Sequence, residues 1–303
     1  MSKTSGSSDS RSPARHVPVL MREVLQSLEL QPGLIVVDGT VGAGGHSREI
    51  LKQIGPEGTL IGLDRDPFML ALAAQKVSGP NCHLIQSSYA QLPQVLAQLE
   101  IPAVDRILLD LGLSSDQLAD DARGFSFRSD GPLDLRFDVL QGESAAEWLQ
   151  HVEEAELVDV LQRYGEERNA GRIARYLVQR RKTERIATGT ELAAAVCEAL
   201  GIRGSGGDRH PATQVFQALR IAVNAELQQV EEALKSTLHN CLKPGGILAV
   251  ISFHSLEDRI VKHTFREAET WEILLHKPVV ARSAEQRLNP RSRTAKLRAA
   301  RKL

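Results

Sequence analysis

The stretch VVDGTVGAGGHS, residues 36–47, carries four glycines within seven positions. It overlaps the apolar run LIVVD (34–38), which is typical of a buried β-strand, and it leads into a helical pattern, HSREILKQI (46–54). A loop between a parallel strand and the following helix lies at the carboxyl edge of the sheet, where free helix N–H groups bind ligands. The stretch therefore predicts an α/β fold with a ligand site at this loop.

The glycine spacing matches two known loop types only in part. A phosphate-binding loop of the form GxxxxGK[ST] shares the spacing of Gly39 and Gly44, but Gly45 and His46 stand where it needs a lysine and a serine or threonine, which argues against nucleoside triphosphate hydrolysis. A dinucleotide fingerprint GxGxxG keeps Gly42 and Gly44 but has Ser47 at its third glycine. A nicotinamide-dependent dehydrogenase therefore stays an alternative at this point.

Two acidic residues distinguish between the candidate ligands. Asp38 directly precedes the loop, where its charge would repel a pyrophosphate and attract the cationic S-adenosylmethionine. Asp64 ends the second strand, TLIGLD (59–64), and is placed to accept both ribose hydroxyls. Each residue alone could be a helix cap or a turn residue. Together they favour S-adenosylmethionine as the cofactor.

Strands and helices alternate along much of the chain, which predicts a parallel sheet. Asp66 and Pro67 are typical of the N-cap and first position of a helix. The turn KPGG (243–246) resembles the one before the fifth strand of many class I methyltransferases. We expect a class I, Rossmann-like methyltransferase sheet of five parallel strands and two closing strands: 34–38, 59–64, 83–86, 106–112, 247–253, 271–276 and 294–302.

The alternation stops near Gln117 and resumes after a glycine-rich segment at 201–210. The intervening stretches, such as EAELVDVLQRYG and ELAAAVCEAL, have helical periodicity. We therefore expect an inserted all-helical domain and, after it, a long helix from Pro211 to Leu242. The predicted organisation is a disordered tail (1–15), a discontinuous methyltransferase core (16–117 and 206–303) and a helical substrate-recognition insert (118–205).

Composition excludes several classes of protein. The chain of 303 residues is 42% hydrophobic and 25% charged, and no apolar run approaches the ~18 residues of a membrane helix. The N-terminus has no apolar stretch typical of a secretory signal. Three cysteines lie far apart without a CxxC pair, which argues against structural zinc and disulfides. We expect a cytoplasmic protein with no metal and no membrane contact.

The net charge of −1 conceals a local asymmetry. Residues 116–167 carry fourteen acidic and four basic side chains, whereas residues 282–303 carry eight basic and one acidic. A basic C-terminal segment suggests contact with a polyanion, and a solvated chain end is the alternative.

Polar groups follow two strands at the predicted site edge. Asp110 ends the fourth strand, and the loop after it carries hydrogen-bonding side chains: Ser114, Ser115 and Gln117. His254 and Ser255 follow the fifth strand. A helix cap is the alternative for the serines, and a structural role is the alternative for the histidine.

Two further stretches are unusual for a plain core. RGFSFRSDGPLDLRFD (123–138) combines arginines and phenylalanines without a clear period, as in a lid or a domain junction. HPATQVFQALRIAVN (210–224) begins with His210 and carries Arg220 and Asn224 one helical turn apart. We consider these three polar residues as candidates for substrate contact.

Taken together, the motifs resemble the ribosomal RNA small-subunit methyltransferase H family over roughly residues 16–303. The matching stretches are DGTVGAGGHS, ILLDLGLSSDQLADDARGFSF, DGPLDLRFD, SAAEWL, YGEERNAGRIAR, HPATQVFQALRIAVNAEL, ISFHSLEDRIVK and NPRSR. The resemblance implies transfer of a methyl group from S-adenosylmethionine to the exocyclic N4 of a cytidine in the decoding region of bacterial 16S rRNA. The substrate would be small-subunit rRNA or the assembling 30S subunit, and a homodimer is one assembly to consider.

The resemblance also assigns site residues. It implies cofactor binding by Gly44, Gly45, His46, Asp64, Tyr89, Asp110 and Gln117. Tyr89 stands where the family usually has Phe, and it keeps an aromatic wall for adenine. Candidates for catalysis are Asp110, His254 and Ser255, and those for substrate binding are Ser114, Ser115, His210, Arg220 and Asn224. A target base must be unstacked, and the candidates for stacking on it are Phe125, Phe127 and Phe253. A ribosome-assembly factor that only senses the cofactor is a third hypothesis.

Overall fold

The computed structural model describes residues 18–202, 210–267 and 269–303. The predicted tail (1–15) and most of the glycine-rich segment at 201–210 lie outside the described residues.

A single mixed sheet carries the pocket described below. Its strands are β1 Ile35–Asp38, β2 Thr59–Asp64, β3 Cys82–Gln86, β4 Val104–Asp110, β5 Leu242–Ser252, β6 Trp271–Ile273, β7 Val279–Val280 and β8 Lys296–Lys302. The order is β3-β2-β1-β4-β5-β8-β6, with β7 also paired to β8. Strands β1 to β5 are parallel, and β8 runs antiparallel to β5. The predicted five parallel strands and the two closing strands are confirmed, whereas the two-residue β7 was not predicted.

KPGG (243–246) was predicted as a turn before the fifth strand, whereas in the structure it lies within β5. Val104 of β4 pairs with Leu242, and Arg106 pairs with Ile247, so residues 243–246 project as an irregularity between these pairs. Gly245 has a φ of 75°, in the left-handed region that favours glycine.

Helices cover both faces of the sheet. The α-helices of the described chain, both those on the sheet and those in the inserted segment, are α1 Met21–Leu28, α2 Gly45–Ile54, α3 Pro67–Ala74, α4 Leu92–Gln98, α5 Ser115–Ala119, α6 Ala145–His151, α7 Glu154–Gly165, α8 Ala170–Arg180, α9 Gly189–Leu200, α10 Thr213–Asn224, α11 Glu226–Glu232, α12 Leu238–Cys241, α13 Ser255–Thr264 and α14 Ser283–Leu288. Neighbouring residues of a strand point to opposite faces, so Val36 packs with α1 and α2 while Val37 packs with α4, α11 and α12. Asp66 caps α3 as predicted, accepting from Phe68 N at 3.0 Å.

A separate hydrophobic cluster contains helices α6 to α10. Alternating strands are absent from this part of the described chain, as expected for the insert. However, α10 packs its apolar face against α7 in this cluster rather than on the sheet. The predicted domain boundary at residue 205 therefore separates α10 from the helices that it packs against.

The predicted helix from Pro211 to Leu242 is interrupted. Ala225 adopts φ 50° between α10 and α11, and a π-helical turn spans Ala233–Thr237 before α12. A left-handed alanine costs about 1–2 kcal/mol, so tertiary contacts must hold it. One such contact is the bond from Gln229 Nε2 to the Asn224 carbonyl at 3.0 Å. The break lets α10 join the helical cluster while α11 packs on the sheet.

Within the described residues, no helix is both long enough and apolar enough to cross a membrane.

Candidate active site

One pocket opens at the carboxyl ends of β1, β2 and β4, where the glycine loop was predicted to bind a ligand. Its volume is about 930 Å³, including space open to solvent. Seven predicted site residues line it: Gly45, His46, Asp64, Tyr89, Asp110, Ser114 and Gln117. The structure thus brings together most of the predicted cofactor set.

The glycine loop follows the pocket wall closely because it lacks side chains. A Cβ on Gly39 would lie 2.5 Å from the Leu109 side chain and 3.0 Å from Tyr89 Cβ, so a larger residue there would displace the wall. Gly44, at φ 78°, directly precedes α2 and faces α3: a Cβ there would lie 3.2 Å from Ala73 of α3 and 2.7 Å from Val77, which follows that helix. Gly44 therefore shapes the loop from behind and does not line the pocket.

Asp38 holds the loop from below and does not line the pocket. It is buried, and its carboxylate accepts from Ser47 Oγ at 2.6 Å and from Thr40 N at 3.3 Å. Burial raises its pKa, against the lowering effect of the Ser47 hydrogen bond. The interpretation that Asp38 faces the ligand is therefore corrected: its structural contribution is to fix the loop.

Asp64 ends β2 and lines the pocket. One carboxylate oxygen accepts from Gly42 N at 2.9 Å, and the other accepts from Asp66 N at the same distance. Burial raises the pKa of Asp64 to about 6, although these two bonds oppose the shift. Each carboxylate oxygen has a further lone pair, so the group can also accept hydrogen bonds from a ribose diol.

Asp110 ends β4 with its carboxyl group in the pocket wall. Its Oδ2 lies 3.7 Å from His46 Nδ1, whereas its Oδ1 is buried and has no hydrogen-bond partner among the described residues. Burial raises the pKa of Asp110 to about 7, and the nearby Arg291 opposes that shift. A buried acceptor without a partner is unusual in a folded protein, and it suits a group that receives an N–H from a ligand.

His46 has a defined orientation beside Asp110. Its Nε2 lies 3.0 Å from the Val19 carbonyl, which can only accept, so Nε2 carries the proton. Burial lowers the pKa of His46, which favours the neutral ring. The unprotonated Nδ1 therefore faces the Asp110 carboxyl group.

Gln117 and its neighbours join the loop after β4 to the rest of the site. Gln117 Oε1 accepts from Ser114 N at 2.9 Å, and its Nε2 donates to Asp66 at 2.9 Å. Arg123 also donates to Asp66, at 2.8 Å, and its other nitrogen donates to the Phe137 carbonyl at 2.9 Å. This network fixes Phe137 at the pocket rim.

Three predicted substrate residues lie away from the pocket lining, between α10 and its neighbours. His210 stacks on Phe127 with ring centres 4.4 Å apart. Arg220 forms a buried ion pair with Glu226 at 2.7 Å. Asn224 is buried, and its Oδ1 accepts from Phe137 N at 2.7 Å. The structure thus places His210 against the helical cluster, and Arg220 and Asn224 at the end of α10, where the chain passes to α11.

Three further predicted site residues, His254, Ser255 and Ser115, each form a hydrogen bond with another group of the protein. His254 caps α13, where its Nδ1 accepts from Glu257 N at 3.4 Å. Ser255 Oγ donates to Glu166 of the helical cluster at 2.7 Å. Ser115 Oγ accepts from Arg291 Nη1 at 3.3 Å. None of the three lines the pocket, so direct roles in catalysis or substrate binding stay predictions without geometric support.

The lining residues that were not predicted for the site include charged and aromatic side chains: Arg65, Phe137, Glu226, Glu257 and Arg291. They come from segments far apart in the chain, and only the fold brings them to one edge. Arg65 directly follows Asp64, and the other four lie in quoted motifs: Phe137 in DGPLDLRFD, Glu226 in HPATQVFQALRIAVNAEL, Glu257 in ISFHSLEDRIVK and Arg291 in NPRSR. The motifs were therefore a signal, but no local pattern shows which of their side chains face the pocket.

Comparison with known proteins identifies the family. A sequence model described as the MraW methylase family matches residues 13–303. The chain belongs to the MraW methylase family. Two curated MraW-type relatives are named ribosomal RNA small subunit methyltransferase H. The one from Trichlorobacter lovleyi is 48% identical over 95% of this chain and 98% of its own length. The one from Sorangium cellulosum is 47% identical over 95% of this chain and 91% of its own length.

A solved rRNA methylase from Streptococcus thermophilus superposes with a TM-score of 0.41 at 11% identity, covering 93% of this chain and 95% of that one. Membership of the MraW family confirms the predicted S-adenosylmethionine-dependent methyltransferase and its class I fold. It also removes the dehydrogenase alternative.

The pocket residues fit the family's cofactor. Four carboxyl groups line it, from Asp64, Asp110, Glu226 and Glu257, against two guanidinium groups. This excess of acidic groups suits a ligand that carries a sulfonium and an ammonium charge. The ring of Tyr89 offers an apolar wall, and burial raises the pKa of its hydroxyl so that it stays neutral.

Proposed function

We propose that this chain methylates the exocyclic N4 of a cytidine in the decoding region of small-subunit rRNA. The names of the relatives support rRNA of the small subunit as the substrate. The observation that carries the N4 assignment is the Asp110 Oδ1 atom, a buried acceptor without a partner in the described structure. An exocyclic amino group presents the N–H donors that such an acceptor requires.

The cofactor would lie along the glycine loop. Asp64 would accept from its ribose hydroxyls, Tyr89 would pack against its adenine, and the backbone at Gly45 would approach its methionine portion. Of the predicted set, Gly44 contributes through loop shape, and Gln117 contributes by holding the loop after β4. When bound, S-adenosylmethionine supplies a methyl group made electrophilic by the sulfonium.

Asp110 has two tasks in the proposed reaction. The N4 lone pair of cytosine is delocalised into the ring, so the amino group needs precise orientation. The Asp110 carboxylate would accept one N4–H and hold the nitrogen toward the methyl group. As the new C–N bond forms and the bond from the methyl carbon to sulfur breaks, which releases S-adenosylhomocysteine, Asp110 would take the N4 proton and become a neutral carboxylic acid. A pKa of about 7 suits both the charged and the neutral form near neutral pH.

The target base must leave its stack to reach this pocket. The three phenylalanines predicted to stack on it are already engaged. Phe125 is buried in the helical cluster, Phe127 stacks on His210, and Phe253 lies under Arg291. Phe137 lines the pocket and is the aromatic side chain best placed at its rim.

The experiment is nucleoside mass spectrometry of 16S rRNA after incubation with the protein and S-adenosylmethionine. Two substrates from a strain that lacks the gene should be compared: naked rRNA and isolated 30S subunits. We expect N4-methylcytidine at one decoding-region position. A different methylated nucleoside would contradict the N4 assignment, and no product from either substrate would favour the assembly-factor hypothesis.

The same substrates decide the finer points about partners. A preference for 30S subunits over naked rRNA would support an assembling subunit as the partner. The proposed location of this reaction is the cytoplasm. Sedimentation of the protein alone would decide whether a homodimer forms.

A further inference from the structure

Arg291 is a pocket-lining cation in the basic C-terminal segment (282–303). It lies in the 3₁₀ turn Pro290–Arg293, which precedes β8. Its one described hydrogen bond runs from Nη1 to Ser115 Oγ at 3.3 Å, and its guanidinium lies 5.5 Å from the centre of the Phe253 ring. No carboxylate among the described residues forms an ion pair with it within 4.0 Å. Most of its donors are therefore available to a ligand.

Arg291 and Asp110 face the same space without touching. Both line the pocket, and Arg291 acts electrostatically on the Asp110 carboxyl group, yet they form no ion pair. Arg291 reaches the pocket from the β5–β8 side, whereas Asp64 and Tyr89 lie on the β2–β3 side. The space between Arg291 and Asp110 therefore lies on the side of Asp110 that faces away from the proposed adenosine site.

Together, the Asp110 carboxylate presents a hydrogen-bond acceptor and the Arg291 guanidinium presents several N–H donors. The Watson–Crick edge of cytosine carries a donor at N4 followed by acceptors at N3 and O2. In uracil and guanine, the position that corresponds to N4 is a carbonyl oxygen, an acceptor that a carboxylate repels. In adenine that position is an amino group, but only one acceptor follows it, and the next position is a C–H. Flipped bases are commonly identified by hydrogen bonds to this edge, and a planar guanidinium can donate two parallel bonds.

We propose that Arg291 selects cytosine by donating to N3 and O2 while Asp110 accepts from N4. The inference rests on the proposed function, since it identifies the base that the same site takes. Ser115 and Phe253 act as positioning residues, because they hold the guanidinium plane. This gives Ser115, a predicted substrate residue that does not line the pocket, an indirect role.

The test measures nucleoside binding to the full-length protein saturated with S-adenosylhomocysteine, by ligand-observed NMR. The probes are cytidine, 3-deazacytidine, which lacks the N3 acceptor, and uridine. We expect the wild type to bind cytidine about tenfold more tightly than either analogue, which corresponds to one charge-assisted hydrogen bond. Arg291→Gln should bind cytidine about tenfold more weakly and no longer distinguish it from 3-deazacytidine.

Arg291→Lys and Arg293→Gln serve as comparisons. The lysine variant keeps the positive charge but lacks the planar guanidinium group, so it should show only part of the preference for cytidine over the analogues. Arg293 is exposed in the same turn, so its variant should behave as wild type. Unchanged affinity for S-adenosylhomocysteine in calorimetry would show that each variant keeps its site.

Three results would overturn the proposal. They are an undiminished preference for cytidine in Arg291→Gln, equal binding of cytidine and 3-deazacytidine by the wild type, and no binding of cytidine by the wild type at millimolar concentration. Cytidine 5′-monophosphate serves as a further probe: if Arg291→Gln binds it more weakly but keeps the preference for cytidine, which is the first of these results, the residue binds phosphate. The proposed function fails separately, when the wild type makes no N4-methylcytidine.

Discussion

The two sides of the pocket differ in how they are built. On the β1–β2 side, the loop, Asp38 and Asp64 come from one continuous stretch, residues 36–64, and backbone hydrogen bonds position them. On the opposite side, Asp110, Glu257 and Arg291 come from distant segments. The first side is a local motif, whereas the second exists only when the whole sheet has assembled. The difference suggests that the first side binds the cofactor and the second handles the target base.

The largest expected effect tests the second side. Asp110→Asn removes the proton acceptor while keeping the shape of the side chain. We expect the methylation rate to fall about 10²–10⁴-fold, the usual contribution of a general base. Affinity for S-adenosylhomocysteine in calorimetry should change far less than the rate. If the methylation rate and the affinity for S-adenosylhomocysteine fell by the same factor, Asp110 would act in cofactor binding and not as the proton acceptor.

A smaller effect should appear on the first side. Asp64→Ala removes the carboxylate proposed to hold the ribose, so affinity for S-adenosylhomocysteine should fall about 10–100-fold in calorimetry. Asp64→Asn keeps one acceptor oxygen and should lose less. Circular dichroism would check that the fold persists. Unchanged affinity in the alanine variant would remove Asp64 from the site.

The buried charge of Asp110 should also affect stability. Its pKa is raised from 3.8 to about 7, so the folded state binds the proton more tightly than the unfolded state does. This contribution is fully present below pH 3.8 and is lost as the pH rises to about 7, at up to about 1.4 kcal/mol per pH unit. Asp110→Asn should therefore be more stable than wild type in urea unfolding at pH 8, with a smaller difference at pH 5. A stability difference that does not depend on pH would contradict this.

The smallest expected effect concerns a residue outside both sides. Ser255 was predicted to take part in catalysis, but its hydroxyl bonds Glu166 of the helical cluster. Ser255→Ala should change kcat/KM less than about twofold and cost about 1 kcal/mol or less, as for one exposed hydrogen bond. A hundredfold loss of kcat would return Ser255 to the catalytic set.

Prediction from sequence succeeded where function depends on short-range patterns. The apolar runs, the glycine loop and Asp66 were enough to predict five parallel strands and the cap of α3, because each depends on neighbours in the chain. Asp64 followed from the same kind of local pattern, and the resemblance to the family supplied Gly45 and His46. The family motifs supplied Tyr89 and Gln117, which also line the pocket.

Prediction failed where a residue's surroundings are tertiary. No local pattern shows that Arg220 pairs with Glu226 across the break at Ala225, or that Asn224 supports Phe137, which lies 87 residues away in the chain. The same cause hid Arg291. Asp38 illustrates a subtler limit: its position beside the loop was correct, but its hydrogen bond to Ser47 turns it away from the ligand.

The most direct test of the central claim is the pH dependence of kcat/KM for 30S methylation by the wild type and Asp110→Asn. If Asp110 accepts the N4 proton, kcat/KM of the wild type should fall tenfold per pH unit below an apparent pKa near 7. The residual activity of the variant should lack that limb. The same acidic limb in both proteins would contradict the account, because the titrating group would then lie elsewhere.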